Sequence, residues 1–555
     1  MVSPTHEMEN QFDELTDYSL LDTDPALGEA LQRAGASGAL TPLAGYGAQL
    51  GTAATYALAE QANRHTPELH RFDARGRRID SVEFHPSWHA LMAAYRAQGL
   101  VAMPFRDQRG GRWAAWAAGF YLHGQVEQGT LCPATMTTAS IPLLQKEPTL
   151  WAQLQGKLYS DAYDARDVPL ADKASIWLGM GMTEKQGGSD VRANTTLATP
   201  VHSGSGAGGR GGEYLLRGHK WFFSAPMCDA HLVVARTAQS GHACFYVPRW
   251  RPDGSLNAVQ VLRLKDKVGN RSNASSEIEF DGAWGVLMGE EGRGIATILE
   301  MATTTRLCCV IGSAAILRQA SVQALAYARQ RRAFGKPLVE QPLMRAVLAD
   351  LALESEAALV LAMRLSQAYE HSDTDPTQRA WKRVLTPAAK FWVCKRAVEL
   401  TGEAMEVLGG NGYIEGGVMA RLFREAPVNS IWEGSGNVMC LDVLRALARE
   451  PEAAQALWAE LADAAAGEPR LLAPLQSLRM LLATPPEQLE ALGRVLAQQL
   501  VLLAQACLLR QFSPPFVADG FITTRLGGSG AGRVVGAIDT RSVDVGAVLA
   551  RAFAG

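Results

Sequence analysis

The densest group of residues that could do chemistry is the run Gly-Met-Gly-Met-Thr-Glu-Lys-Gln-Gly-Gly-Ser-Asp-Val at 179–191. Backbone amides around Gly187 and Gly188 can approach an anion closely, because glycine has no Cβ. The hydroxyls of Thr183 and Ser189 can donate to a phosphate or to a heteroaromatic ring. A turn that links two domains has the same composition, so the run alone leaves both interpretations open.

Four further stretches carry aromatic, basic or acidic side chains near turns. The aromatic cluster at 219–224 could pack against a flat cofactor ring, although aromatic residues at strand spacing more often belong to the hydrophobic core. Taken alone, the basic run at 329–337 is typical of a solvated helix end that the helix dipole favours. The segment 409–413 is a glycine-rich turn. In the segment 431–438, Glu433 is followed by two glycines and could simply cap the next helix.

In this order, the five stretches together resemble the acyl-CoA dehydrogenase flavoprotein family over roughly residues 50–450. The resemblance points to the AidB-like branch of that family, which is linked to the adaptive response to DNA alkylation. The segments that carry it are MTEKQGGSDV at 182–191, KDKVGNRSNAS at 265–275, TPAAKF at 386–391 and NSIWEGSGNVMCLDVLRAL at 429–447. It implies FAD as cofactor, an acyl-CoA as substrate, weak dehydrogenase activity and a homotetramer.

The resemblance also implies roles for individual residues. In the family, the carboxylate of a Glu-Gly-Thr/Ser turn removes a proton α to the thioester, and here that residue is Glu433. Arg306 occupies the place of a family arginine near the thioester tail. The residues implied in FAD binding are Met182, Thr183, Gly188, Ser189, Trp221, Phe223, Ser224, Arg331, Phe334, Gly410, Trp432 and Asn437.

Within that set, the resemblance implies that different residues contact different parts of the FAD. Trp221, Phe223 and Ser224 would flank the isoalloxazine ring, and Asn437 would pack on the adenosine side. Arg331 and Gly410 would reach the diphosphate of a neighbouring subunit's FAD. The sequence departs from the family at Glu406, where the family has a glutamine that contacts this diphosphate. A carboxylate there is unfavourable unless it is turned away or paired.

Changes in the pattern of apolar residues along the chain predict the elements that position these residues. Apolar spacing of three and four predicts long helices at 295–333, 341–371 and 387–408, whereas short β-branched and aromatic runs between 213 and 289 predict an antiparallel β domain. The predicted fold is α+β and mostly α, as in acyl-CoA dehydrogenases. Its four domains are an N-terminal helical domain (1–180), a β-barrel or sandwich (181–290), a helical bundle (291–449) and an extra C-terminal helical domain (450–555).

The C-terminal domain is the part that, in the AidB-like branch, is proposed to bind double-stranded DNA. From residue 491 onward the sequence contains six arginines and three aspartates, which gives this stretch a formal charge of +3. We therefore predict that Arg445, Arg449 and Arg533 contribute to a DNA-binding face, because duplex binding requires several neutralised phosphates. The alternative is a metabolic dehydrogenase whose C-terminal domain serves only oligomerisation.

Composition sets limits on the whole chain. Its 555 residues carry a formal charge of −3 and are 47% hydrophobic, which is typical of a folded protein and argues against a uniformly basic surface. No export signal and no unbroken apolar run of about 20 residues is apparent, so we expect a cytoplasmic protein with no membrane partner. Eight unpatterned cysteines, and a His85–His89 pair without a third ligand, predict neither a disulfide framework nor a metal site.

Overall fold

The computed structural model describes residues 5–106, 108–202, 209–238, 241–527 and 534–554. The chain divides into two compact units. The first, here called the helical unit, consists of Met1–Tyr56, Arg109–Val126 and Arg306–Gly555, and the second, here called the sheet unit, consists of Ala57–Gln108 and Glu127–Thr305.

The helices of the described residues range from single turns to one of 37 residues. They are α1 (Pro25–Arg33), α2 (Leu40–Leu50), α3 (Ala53–Arg64), α4 (Pro86–Ala97), α5 (Met103–Arg106), α6 (Arg112–Val126), α7 (Leu131–Leu144), α8 (Pro148–Leu158), α9 (Gly294–Gln330), α10 (Pro342–His371), α11 (Pro376–Ala380), α12 (Thr386–Val407), α13 (Gly410–Tyr413), α14 (Val418–Asn429), α15 (Gly436–Arg449), α16 (Pro451–Ala465), α17 (Pro469–Leu482), α18 (Pro486–Leu489), α19 (Gly493–Phe512), α20 (Pro515–Leu526) and α21 (Val545–Ala552).

The strands form one large sheet and two small hairpins. They are β1 (Glu68–Phe72), β2 (Arg78–Glu83), β3 (Leu178–Gly181), β4 (Leu197–Pro200), β5 (Glu213–Ser224), β6 (Ala230–Thr237), β7 (Gly241–Pro248), β8 (Val259–Leu264), β9 (Ser275–Met288), β10 (Arg332–Ala333) and β11 (Lys336–Pro337). The large sheet has the order β3-β6-β4-β5-β9-β7, with β8 paired to β9 and β6 also paired to β7.

The sequence predicts an antiparallel β domain, and the observed sheet differs from this prediction in one respect. Most of its pairings are antiparallel, but β6 runs parallel to both β3 and β4. The parallel pairs join segments that are distant along the chain, so no local turn signal marks them.

The sheet is buried on both faces, and β6 shows how. Leu232 and Val234 lie in a hydrophobic cluster with residues of α7, α8 and α9, whereas Val233 and Ala235 lie in a second cluster with residues of β7 and β9. Successive strand residues point to opposite faces, so both faces of β6 are covered. This packing fixes the strand ends and turns that carry the predicted flavin contacts.

The helical unit is built on the long helices α9, α10 and α12. α12 has Pro387 in its first turn and ends before Gly409, whose φ of +60° favours glycine. The C-terminal extension is not separate from this bundle, because α19 packs against α10, α12 and α15. Residues of the extension can therefore contribute to a site on the bundle.

Candidate functional site

In the sheet unit, the glycine-rich turn after β3 is fastened to β5. The amide of Trp221 donates to the Thr183 carbonyl at 2.8 Å. A Cβ on Gly188 would lie 2.9 Å from Thr183 Oγ1, so this close approach requires glycine. Ser189 is exposed one residue further on. The structure thus brings together four of the residues predicted to bind FAD.

A buried ion pair that the sequence did not reveal holds this turn in place. Lys220 Nζ donates to Glu184 Oε1 at 2.8 Å, and both side chains are fully buried. Lys220 also donates to the carbonyls of Val234 and Met182, and the Thr195 amide donates to Glu184. Burial would raise the pKa of Glu184, but the Lys220 ammonium and the amide donor outweigh it and lower that pKa. The turn is therefore anchored by a charge pair as well as by backbone contacts.

The aromatic residues at the end of β5 have three different environments. Lys265 Nζ lies 3.7 Å from the centroid of the Trp221 ring, and Phe222 is 49% exposed. Phe223 is only 2% exposed and stacks on His231 with the ring centroids 3.8 Å apart. Burial lowers the pKa of His231 to about 3, so the imidazole is neutral. The Phe223 side chain therefore belongs to the core of the sheet unit, and its contact with a flavin stays a prediction.

The chemistry beside Ser224 fits the edge of an isoalloxazine ring. The amide of Ala225 donates to the Ala274 carbonyl at 2.8 Å, which brings Asn273 close to the end of β5. Asn273 is fully buried, and both polar atoms of its side chain lack a hydrogen-bond partner among the described residues. The hydroxyls of Ser224 and Thr183, by contrast, are only partly buried and can donate to the carbonyl and ring-nitrogen groups of an isoalloxazine edge. The donor set thus fits a flavin.

In the helical unit, Glu433 lies in a tight turn that two cations hold by its backbone. Its φ of +60° is unusual for a residue other than glycine, and Gly434 follows with a φ of +102°. Arg306 Nε donates to the Glu433 carbonyl at 3.1 Å, and Lys390 Nζ donates to the Gly434 carbonyl at 2.7 Å. Strained backbone of this kind persists only where the surroundings enforce it.

Arg306, which is predicted to lie near the thioester, has a structural role in this turn. Besides the Glu433 carbonyl, its guanidinium contacts Asp442, with Nη1 2.7 Å from Oδ2. Arg383 Nη1 lies 3.6 Å from the same Asp442 oxygen. The structure therefore connects the turn of Glu433 to α15 through Arg306, and contact of Arg306 with a substrate stays a prediction.

Trp432 and Asn437, both predicted to bind FAD, flank the Glu433 turn. Trp432 is half-buried, and its Nε1 donates to Asn429 Oδ1 at 3.1 Å. Asn437 is exposed in the first turn of α15, and its Oδ1 accepts from Arg494 Nη1 at 3.3 Å. The sequence carries no signal for the contact with Arg494, because more than fifty residues separate Asn437 from Arg494.

Arg331 is held by a segment near the N-terminus. The Asn10 carbonyl accepts from the Arg331 guanidinium. The Asn10 side chain donates to the Arg332 carbonyl at 2.8 Å and accepts from the Arg332 amide at 2.9 Å. Gln11 accepts from Asn411 at 2.8 Å, next to the predicted Gly410. The segment thus fastens both elements that were predicted to reach a neighbour's FAD.

The remaining predicted contacts lie on the surface of the helical unit. Phe334 is 98% exposed with a φ of +52°, and Gly410 is exposed at the start of α13. Glu406 is exposed in the last turn of α12. Burial raises the pKa of the nearby Glu403, and the Glu406 carboxylate raises it further. The local charge is therefore negative where the family has a neutral glutamine.

The arginines predicted to bind DNA differ in their surroundings. Arg445 and Arg449 are exposed, one turn apart on α15, and neither forms an ion pair within the described ranges. Arg533 lies outside the described residues. Other arginines of the C-terminal extension are paired with carboxylates: Arg510 with Glu468, Arg525 with Asp350 and Glu354, Arg541 with Asp539, and Arg551 with Glu29 and Glu356.

The two histidines with metal-like spacing have other partners. His85 accepts from the Ser87 amide at 3.3 Å, and His89 hydrogen-bonds to the Tyr163 hydroxyl at 2.7 Å. Across the described parts of the chain, no group of three or more His, Cys, Asp or Glu side chains could hold a metal ion. The eight cysteines are all free and buried.

Two long helices of the described residues are rich in apolar side chains. α9 and α19 are long and apolar enough to cross a membrane by length and composition alone. In each, 67% of the apolar window is buried inside the protein, which is also the environment of a core helix.

Comparison with known proteins defines the class. An acyl-CoA dehydrogenase middle-domain model matches residues 179–283, and an acyl-CoA dehydrogenase C-terminal-domain model matches residues 292–448. Caenorhabditis elegans ACDH-11, solved in complex with C11-CoA, shares the fold with a TM-score of 0.84 at 24% identity, over 98% of this chain and 97% of that one. A Bacillus anthracis acyl-CoA dehydrogenase complexed with FAD has a TM-score of 0.63 at 17% identity, over 80% and 81% of the two chains.

The fold is therefore that of an acyl-CoA dehydrogenase, and the cofactor is FAD. Residues 10–165 match the N-terminal domain of the adaptive response protein AidB. The chain is 46% identical, over 96% of both chains, to the putative acyl-CoA dehydrogenase AidB of Escherichia coli strain K12. It belongs to the AidB family of FAD-dependent acyl-CoA dehydrogenase-like oxidoreductases, which confirms the family predicted from the sequence.

Proposed function

We propose that the protein oxidises an acyl-CoA thioester, with Glu433 as the base that removes the proton α to the thioester carbonyl. The observation that carries the proposal is the turn of Glu433, with its positive φ and its two carbonyls held by Arg306 and Lys390. Such a turn fixes the direction of the side chain, and a general base must lie within hydrogen-bond reach of the proton that it removes.

The chain's own residues have distinct tasks in this reaction. Glu433 takes the α proton onto its carboxylate, and the electron pair of the broken C–H bond becomes the new double bond between the α and β carbons. Bound FAD supplies the acceptor for the hydride that leaves the β carbon. Arg306 and Lys390 keep the Glu433 turn in place, because both donate to its backbone.

Glu433→Gln in the FAD-loaded protein tests this assignment. The change keeps the shape of the side chain and removes the base, so we expect reduction of the flavin by a panel of acyl-CoAs to slow by at least about 10²- to 10⁴-fold. The oxidised flavin spectrum should persist, and the exposed Glu452→Gln should behave as wild type. An unchanged rate in Glu433→Gln would assign the base to another residue.

We further propose that the protein binds double-stranded DNA through α15, as part of a response to DNA alkylation. The supporting observation is that Arg445 and Arg449 are exposed one turn apart and not engaged by carboxylates of the described chain. Arginines in this state can neutralise phosphates, whereas the paired arginines of the extension are already compensated.

Salt-dependent DNA titration tests this second candidate. Each lost phosphate contact should reduce the slope of log affinity against log salt by about 0.9. We expect Arg445→Gln with Arg449→Gln to reduce the slope by roughly two such steps, and the ion-paired Arg541→Gln to leave it unchanged. Wild-type protein that does not bind duplex DNA at low salt would favour the metabolic dehydrogenase with a purely oligomeric extension.

A further inference from the structure

Two cations converge beside the first turn of α15. Lys395 on α12 donates to Ser430 Oγ at 3.1 Å. A Cβ on Gly436 would lie 2.8 Å from Lys395 Cε and 3.2 Å from its Nζ, so the ammonium packs directly on the first turn of α15. Arg494 on α19 reaches the same turn through Asn437. Helices that are distant in sequence thus direct two positive charges to one point.

The same two cations share an aromatic surface and repel each other. Lys395 Nζ lies 5.9 Å from the centroid of the Phe391 ring, and Arg494 Cζ lies 5.3 Å from it. Burial lowers the pKa of Lys395, and the positive charge of Arg494 lowers it further. Neither cation forms an ion pair with any carboxylate of the described chain. Like charges held together without a counter-charge are unfavourable, and an anionic ligand would relieve the repulsion.

The backbone at this point also favours an anion. α15 has fourteen residues, and the side chain of its N-cap residue, Ser435, makes no capping hydrogen bond. The first amides of a helix lack partners within the helix, and the helix dipole places partial positive charge there. Two cations and a helix N-terminus therefore act at the same place.

We propose that Lys395 and Arg494 bind a phosphate group of a bound nucleotide cofactor, and we assign it to the diphosphate of FAD. Asn437, which contacts Arg494, is predicted to pack on the adenosine side of FAD, and the adenosine is bonded directly to the diphosphate. The two negative charges of a diphosphate match the two cations.

The assignment gives the C-terminal extension a part in cofactor binding. Arg494 lies outside residues 292–448, which match the acyl-CoA dehydrogenase C-terminal domain. The extension therefore supplies a ligand contact that the matched domain does not contain. The inference depends on FAD as the cofactor and is independent of the role proposed for Glu433.

Release of FAD from the holoprotein tests the site. Purified holoprotein is diluted, and the rise of flavin fluorescence gives the dissociation constant. Each lost charge-assisted contact is worth about 1.5–3 kcal/mol, so we expect Lys395→Met and Arg494→Gln each to weaken FAD binding by roughly 10- to 100-fold. Lys395→Arg keeps the charge and should retain most of the affinity. The exposed Arg479→Gln, on α17, is the matched control.

A second measurement distinguishes two sources of phosphate. Binding of CoA to the same holoproteins is followed by calorimetry. Weaker FAD binding with unchanged CoA binding supports the assignment to FAD. Unchanged FAD binding with weaker CoA binding would keep the phosphate site but overturn its assignment to FAD. Variants that bind both ligands as wild type, or a Lys395→Arg variant as weak as Lys395→Met, would overturn the site itself.

Discussion

At the scale of single residues, Lys220 and Glu184 are decisive for the sheet unit, because they place an ion pair where neither side chain reaches water. Lys220→Met leaves the Glu184 carboxylate buried without its partner. We expect the free energy of unfolding to fall by about 3–5 kcal/mol, measured by urea denaturation. The double variant Glu184→Gln with Lys220→Met should recover part of this loss, and the exposed Lys185→Met should cost little. Wild-type stability of Lys220→Met would mean that the pair does not hold the turn.

The same pair predicts a dependence of stability on pH. The pKa of Glu184 is lower in the folded protein than in the unfolded chain, because Lys220 and amide donors outweigh the effect of burial. A carboxyl of this kind stabilises the fold above its unfolded pKa, and this contribution is lost as the pH falls towards the folded pKa. We expect the stability difference between wild type and Glu184→Gln to shrink as the pH falls from about 5 to about 2, because the pKa of Glu184 in the folded protein is about 2. The control Asp190→Asn, an exposed residue, should show a constant difference.

At the scale of elements, local patterns predicted most of the fold. The predicted helix 341–371 is observed as α10, and the predicted helix 387–408 as α12, because apolar periodicity and flanking Pro or Gly mark such helices. The hairpin of β1 and β2 was not predicted. β1 is almost wholly exposed, so it lacks the alternation of buried and exposed residues that indicates a strand.

The N-terminal segment offers a prediction about one element, the hairpin of β10 and β11. Asn10→Ala removes two side-chain hydrogen bonds to Arg332, together worth about 1–3 kcal/mol. We expect faster hydrogen–deuterium exchange in peptides that cover residues 331–337, with little change elsewhere. Glu9→Ala, at an exposed neighbouring position, is the control. Equal exchange in both variants would show that the hairpin does not depend on Asn10.

At the scale of the whole molecule, the net charge of −3 concealed how charges are arranged. The sequence indicated an excess of arginine after residue 491, but Arg525 and Arg551 are paired with carboxylates from earlier in the chain. The family motifs identified the main segments of the candidate site, including the turn that contains Glu433. The pair Lys395–Arg494 could not be predicted, because only the packing of α19 on α12 brings these residues to one place.

Exposed apolar surface on the helical unit bears on how subunits assemble. The helical unit exposes several large apolar side chains, among them Leu343 at 85%, at the start of α10. Exposed apolar residues of this kind are typical of protein–protein interfaces, and we propose that they serve the homotetramer implied by the family resemblance. Leu343→Glu should lower the mass measured by light scattering after size-exclusion chromatography, because a symmetric interface loses the contribution of this residue twice, about 1.5–3 kcal/mol each time. Met480→Glu, at a residue 61% exposed on α17, is the matched control. An unchanged mass for Leu343→Glu would mean that Leu343 does not lie in the interface.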